Sequence, residues 1–213
     1  PLLDRIGAKR VILFASLCFI AGPALTLFAP TMGSFDSMNS MLNFGMVVWG
    51  FGWGATEGSI NPLATTLYPE DKTGKLNALH AWWPFGLIIG GLLSYFLIDS
   101  DVINWRTLVV ISAVPGVIFG LWALRHEFPQ TESAVRGVSF GEMIAEPFKR
   151  ISFWTFFAVM LLTAAAELGP GQWVNIALSG TVGMSGILIL VYVSAIMFGM
   201  RFFAGALAHR FSD

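Results

Sequence analysis

Val47-Val48-Trp49-Gly50-Phe51-Gly52-Trp53-Gly54-Ala55-Thr56-Glu57-Gly58-Ser59-Ile60-Asn61-Pro62 is an apolar, glycine-rich run with a single acid inside it. It sits within residues 41–67, where Glu57 is the only ionisable side chain. A helix needs about 20 residues to cross a bilayer core, at about 1.5 Å of rise each. Five further stretches meet that length: 11–29, 77–98, 107–124, 151–178 and 186–208. Over the 213 residues the mean hydropathy is +0.71, with 55 % apolar and 12 % charged residues. Soluble chains carry about 25 % charged residues, so the composition excludes an ordinary soluble domain. Backbone groups in hydrocarbon must bond within their own segment, which selects helices. No ten-residue alternation suggests a membrane barrel. The sequence therefore reads as an all-α, polytopic membrane protein with six transmembrane helices.

The same composition narrows function. Net charge is −1 and no basic run occurs, which argues against a nucleic-acid partner. The single Cys18 excludes a disulfide framework, a cysteine zinc site and an iron–sulfur cluster. His80, His126 and His209 have no metal-ligand spacing, and neither an H-E-x-x-H nor a Gly-x-Ser-x-Gly element is present. The reading is a non-enzyme without cofactors or metals. A non-transporting scaffold or sensor is the alternative of another class, but it has no need for carboxylates in its membrane helices.

Basic residues set the expected topology. Arg5, Lys9, Arg10, Lys72, Lys75, Arg125, Arg136, Lys149, Arg150 and Arg210 fall on one side, Arg106 falls on the other, and Arg201 lies inside the last span. Both ends and residues 126–150 are thereby placed in the cytoplasm. Within that loop Ser139 and Glu142 have capping-box spacing, and Phe140, Met143, Ile144 and Phe148 share one helical face. A short interfacial helix joining two bundles is expected there. The division is 1–125 for the end of a first bundle, 126–150 for the linker, and 151–213 for the start of a second. The opening at Pro1, without Met or a signal-like segment, and the close at Asp213 read as the middle of a longer protein.

Leu2-Leu3-Asp4-Arg5-Ile6-Gly7 aligns with Leu207-Ala208-His209-Arg210-Phe211-Ser212, one copy at each end. Asp4-Arg5-Ile6-Gly7-Ala8-Lys9-Arg10 resembles the cytoplasmic loop motif of the major facilitator superfamily, which joins the second and third helices and recurs more weakly between the eighth and ninth. The second copy departs from the motif at His209 and Ser212. The resemblance implies a partial major facilitator fold, helices three to eight of twelve, with parts of both six-helix bundles. It implies alternating access to a midplane site between bundles, and a conformational latch at Asp4, Arg5 and Arg201. It further implies a monomer in the bacterial cytoplasmic (inner) membrane whose partners are the bilayer, a proton and a small solute.

Glu57 is the first chemical candidate. A carboxylate inside hydrocarbon costs at least about 2.5–3.5 kcal/mol, so its retention points to function. It can take and release a proton, as a proton-coupled carrier requires. Asn61 follows at i+4 on the same face, and Pro62 leaves the Gly58 carbonyl without its helical donor. Gly50, Gly54 and Gly58 form a small-residue ridge suited to close helix packing, on a different face from the polar pair. Glu57 to Pro62, with Leu76-Asn77-Ala78-Leu79-His80-Ala81-Trp82-Trp83-Pro84-Phe85-Gly86, resembles the fourth and fifth helices of the fucose/galactose/glucose:proton symporter branch. That resemblance implies proton and sugar contacts at Glu57. His80 and Trp83 stand where the branch has Gln and Asn, so the solute-facing surface is altered.

Glu167 is the second membrane acid, followed by Gly169-Pro170-Gly171, where a break in the helix is expected. Such a break would bring Glu167, Gln172, Trp173 and Asn175 to unpaired backbone on a cavity. Arg201 is expected to snorkel or to pair with a loop carboxylate. With no cation in mid-span, a neutral polar solute is favoured over an anion. Proton coupling is assigned to Glu57 and Glu167, and solute contact to Asn61, His80, Trp83, Gln172, Trp173 and Asn175. Nucleoside uptake or drug efflux against protons would use the same acids.

Overall fold

A computed structural model describes residues 2–98, 102–182 and 185–211, giving the backbone alone for 2, 132–133, 170–172, 174–182 and 205–211. Among the described residues the chain is helical and has no strand. The helices are α1 (Leu2–Ile6), α2 (Ala8–Phe28), α3 (Phe35–Leu67), α4 (Lys72–Leu97), α5 (Trp105–Arg125), α6 (Glu132–Val135), α7 (Phe140–Phe148), α8 (Ile151–Val182) and α9 (Gly186–Phe211). Five of the six long helices are apolar enough to cross a membrane by length and composition. The sixth, α3, has 33 residues, and its Asn, Ser, Gly and Glu residues dilute its hydropathy.

Local caps explain where the helices begin. Ser34 accepts a bond from the Ser37 amide, so α3 starts before the apolar run at residue 41. Asp71 accepts from the Gly74 amide and starts α4 at Lys72, and Asn104 does the same for α5 through Thr107. Each cap satisfies an amide that the first helical turn leaves unpaired. Gly7 separates α1 from α2 at φ 86, a left-handed conformation that favours glycine.

The chain divides into two compact units. Pro1–Pro69 with Ile103–Gly137 form one; Glu70–Val102 with Val138–Asp213 form the other. The second unit brings α4 together with α9, against which it packs.

In the first unit, α2 lies against both α3 and α5. Gly22 and Gly45 meet across α2 and α3: an added Cβ on Gly22 would stand 2.9 Å from the Gly45 carbonyl oxygen. Gly52 faces Ala15 and Cys18 in the same interface. Toward α5, Ser16 is buried and donates to the Gly116 carbonyl at 2.7 Å. Lipid tails are as apolar as leucine, so helices in a bilayer associate through small residues and such hydrogen bonds. In the second unit, Gly91 of α4 meets Val191 of α9, and Phe85 and Phe198 lie 5.3 Å apart.

Within residues 126–150 the expected short helix is present as α7. Ser139 and Glu142 form both bonds of a capping box. The Ser139 hydroxyl and amide beside Glu142 hold its carboxyl below the usual range. Trp154 of α8 donates to the Phe148 carbonyl at 3.0 Å and fixes the corner between α7 and α8.

The expected break at Gly169–Gly171 is absent: α8 is continuous from Ile151 to Val182. Proline removes one amide donor and glycine costs about 1 kcal/mol of helix propensity, which a 32-residue apolar helix absorbs. Leaving the helix in hydrocarbon would expose several backbone groups instead. The two ends of the chain also behave differently. Gly7 turns the backbone in the first motif copy, whereas α9 continues through residues 207–211 of the second.

Candidate functional site

On α3, roughly 100° per residue puts Gly50, Gly54, Glu57, Gly58 and Asn61 on one face. Gly45, Gly52 and Ser59 are buried on the opposite face, where Gly45 and Gly52 pack on α2. This corrects the sequence reading in two respects. The glycine ridge shares a face with the polar pair, and it does not mediate the close packing. A Cβ added at Gly50, Gly54 or Gly58 would meet nothing described within 4 Å. The close contacts come from the other glycines of the helix.

The free glycine face borders a cavity of about 830 Å³ within the first unit. Gly50, Gly54 and Gly58 line it with Phe14 and Arg10 of α2 and Leu3 and Ile6 of α1. Glu57 and Asn61 do not line it, although their neighbours along the helix do. Glu57 is half-buried, and Asn61 Nδ2 donates to its Oε2 at 3.2 Å. Asn61 Oδ1 is buried with no partner among the described residues. A carboxylate and an unfilled amide oxygen therefore make an acceptor-rich point that suits a proton or a ligand hydroxyl. The Pro62 carbonyl takes hydrogen bonds from Thr65 and Thr66, at 2.9 and 2.8 Å.

The Asp4–Arg5 motif engages the segment after α5. Thr131 Oγ1 donates to Asp4 Oδ1, and Lys9 Nζ donates to the Leu124 carbonyl at 2.8 Å. Lys9 thus binds the C-terminal end of α5, where carbonyls lack helical donors and the dipole favours a cation. A pocket of about 390 Å³ lies between residues 3–10 and residues 128–134. The sequence did not reveal Thr131 as the partner of Asp4, since the contact joins residues more than a hundred positions apart.

In the second unit, His80 and Trp83 are half-buried on α4, while Trp82 is exposed and packs edge-on against Phe85. Glu167 of α8 and Arg201 of α9 form an ion pair, Nη2 to Oε1, at 2.9 Å. Arg201 therefore pairs with a carboxylate of a membrane helix, not with a loop, and it lies well inside α9. Arg201 lies near the C-terminal end of the apolar stretch Gly186–Ala204 of α9. Trp173 is exposed on α8. Gln172 and Asn175 lie outside the residues whose side chains are described. The structure thus joins Glu57 with Asn61 and Glu167 with Arg201.

Long apolar helices, with acids inside them and small residues at their contacts, define an integral membrane protein. The sequence profile of the Major Facilitator Superfamily matches residues 1–213, and the chain belongs to that family. It is similar to the putative niacin/nicotinamide transporter NiaP of Bacillus subtilis, 28 % identical over 53 % of this chain and 26 % of the relative. It is similar to the glucose transporter GlcP of Staphylococcus epidermidis, 26 % identical over 55 % of this chain and 25 % of GlcP. Multidrug resistance protein 3 of Bacillus subtilis is 28 % identical over 84 % of this chain and 32 % of its own length. The chain spans about a quarter to a third of these relatives. No solved structure matches it.

Proposed function

We propose that the protein is a secondary active transporter that couples a proton to the movement of a small neutral polar solute, such as a sugar, by alternating access. The observation that carries this reading is Glu57: the one acid within residues 41–67 of α3, half-buried, bonded to Asn61, on a face that α2 does not cover. Protonation there removes a charge from a low-dielectric site, and a solute hydroxyl can satisfy the unfilled Asn61 Oδ1. Asn61, His80, Trp83, Gln172, Trp173 and Asn175 contact solute in this scheme. Asp4 and Arg5 hold the cytoplasmic ends of the helices as a latch. The early helices, 1–125, belong to one bundle of the complete fold and 151–213 to the other. The protein resides as a monomer in a bacterial inner membrane, with its basic loops in the cytoplasm. The family membership and the relative named a glucose transporter support this reading.

The test is Glu57→Gln in proteoliposomes of the full-length protein. Solute accumulation driven by a pH gradient falls by about a hundredfold, a loss of roughly 2.7 kcal/mol at the conversion of 1.36 kcal/mol per tenfold. Solute exchange at equal pH survives. Unchanged uphill uptake in the variant refutes the assignment. A second reading, proton-driven efflux, draws support from the relative named for multidrug resistance, which aligns with 84 % of the chain. It predicts that an inside-acid gradient drives loading instead.

A further inference from the structure

The apolar face of α7 has no role in the scheme built on Glu57. No residue of α7 is buried, and Ile144 and Phe148 are 44 % and 52 % exposed. At about 100° per residue, Phe140, Met143, Ile144 and Phe148 occupy one side of the helix, and Glu142 and Glu146 the opposite side. The apolar face does not end with the helix. Phe148 meets Phe153 and Trp154 at the start of α8, with ring centroids 5.0 and 5.8 Å apart, and Trp154 meets Phe157 at 6.0 Å. Trp154 and Phe157 are exposed, and no residue of the apolar stretch Ile151–Gly169 is buried within the protein. The Trp154 indole N–H is spent on the Phe148 carbonyl, so the corner is fixed and the exposed part of that ring is apolar. One continuous apolar surface thus runs from α7 onto α8. Exposed patches of this kind mark protein or membrane contacts.

Two features select the membrane. A helix long and apolar enough to cross a bilayer is coated by lipid, and the α7 face joins that coat across the corner. A soluble partner would cover α7 but not the part of the same surface that α8 carries into hydrocarbon. The charges match as well. Lys149 and Arg150, both exposed, form the corner itself, between Phe148 at the end of α7 and Ile151 at the start of α8. Arg150 makes no side-chain hydrogen bond or ion pair among the described residues. Lys149 bonds Glu146 at 2.7 Å in an exposed pair, which solvent and competing anions weaken.

We propose that the α7–α8 corner is a binding site for an anionic phospholipid, whose headgroup pairs with Lys149 and Arg150 while its acyl chain lies on Ile144, Phe148, Trp154 and Phe157. α7 then lies in the plane of the leaflet at headgroup depth, with Glu142 and Glu146 toward water. Phosphatidylglycerol carries a net negative charge that zwitterionic phosphatidylcholine lacks. Each Lys or Arg near an anionic surface strengthens binding about fivefold, so two give a preference of about twenty-fivefold. The site involves neither Glu57 nor the transported solute.

Full-length protein in nanodiscs, in a Cys18→Ala background, tests the proposal with probes on both sides of α7. In a mixture of phosphatidylcholine and phosphatidylglycerol, nitroxides attached through Ile144→Cys and Phe148→Cys are expected to be broadened by oxygen, which concentrates in lipid. Those attached through Ala145→Cys and Glu146→Cys respond instead to a water-soluble nickel chelate. In phosphatidylcholine nanodiscs, a fluorophore attached through Ala145→Cys then reads headgroup choice. Trace phosphatidylglycerol bearing a nitroxide quenches it at about a twenty-fivefold lower mole fraction than labelled phosphatidylcholine does. Lys149→Gln/Arg150→Gln abolishes that preference. Lys149→Arg/Arg150→Lys keeps it, which separates loss of charge from damage to the corner. Nickel access at all four positions overturns the proposal, as does shielding of positions 144 and 148 from both reagents, the result a protein partner gives. So does equal quenching by the two lipids in the parent protein, or a preference that survives loss of both cations.

Discussion

Replacing Gly52 by alanine and, separately, Gly54 by alanine should have opposite consequences, although the two lie two residues apart in the same helix. A Cβ on Gly52 would stand 2.9 Å from the Cys18 Cβ, 3.1 Å from the Ala15 carbonyl oxygen and 3.3 Å from Phe19 Cδ1. Carbon atoms prefer separations of about 3.5–4.0 Å. The first two obstacles are fixed to the α2 backbone, so α2 and α3 must part by roughly half an ångström. Overpacking of this kind costs about 1–3 kcal/mol. At Gly54 nothing described lies within 4 Å of the added methyl. Both changes gain about 1 kcal/mol of helix propensity, and that gain cancels when the two variants are compared. The difference in stability is then the contact term itself, about 1–3 kcal/mol in favour of Gly54→Ala. For a chain of about this length each kcal/mol moves an unfolding midpoint by about 2–4 °C. Thermal unfolding of the purified protein in detergent, followed by tryptophan fluorescence, measures the gap. Equal midpoints for the two variants refute the assignment of the α2-facing side of α3.

Gly7→Ala forces a side chain into φ 86 and costs about 1–2 kcal/mol. Disulfide crosslinking of a cysteine pair at positions 4 and 131 should then be slower than in the Gly7 background, and an unchanged rate would contradict the need for a left-handed residue there. Ser139→Ala removes the cap of α7, a loss of about 1 kcal/mol, visible as faster amide exchange across 140–148 at pH 7. The held-down Glu142 carboxyl gives the same segment a pH signature of definite sign. Its stabilisation is complete above the ordinary glutamate value of about 4.3 and disappears as pH falls through the lower, folded-state value. Ser139→Ala should abolish that acid dependence, and protection factors that still fall on acidification would locate its source elsewhere.

Hydropathy made the membrane helices legible because burial in lipid leaves a long one-sided record in composition. Their N-terminal ends were less visible. Ser34 and Asp71 start α3 and α4 among polar residues that hydropathy assigns to loops. The α7 cap was legible to the residue, since both partners sit within one turn. Helical spacing grouped Gly50, Gly54 and Gly58 correctly but could not say which face α2 would choose. Gly169-Pro170-Gly171 read as a break because local propensity weighs those residues without the apolar turns on either side. Glu167 and Arg201 were each conspicuous, yet their pairing spans two helices and is a property of the packing. The same holds for Thr131 and Asp4.

The split character of α3 bears on how the proposed carrier can change its diet. One side of the helix is committed to α2 by glycines that tolerate no added atom, while the side bearing Glu57 and Asn61 meets no close neighbour at its glycines. Substitutions on the second side alter what a passing molecule encounters without loosening the scaffold. On the function proposed above, selection can therefore retune solute preference along α3 one position at a time, and laboratory evolution of new cargo should begin there.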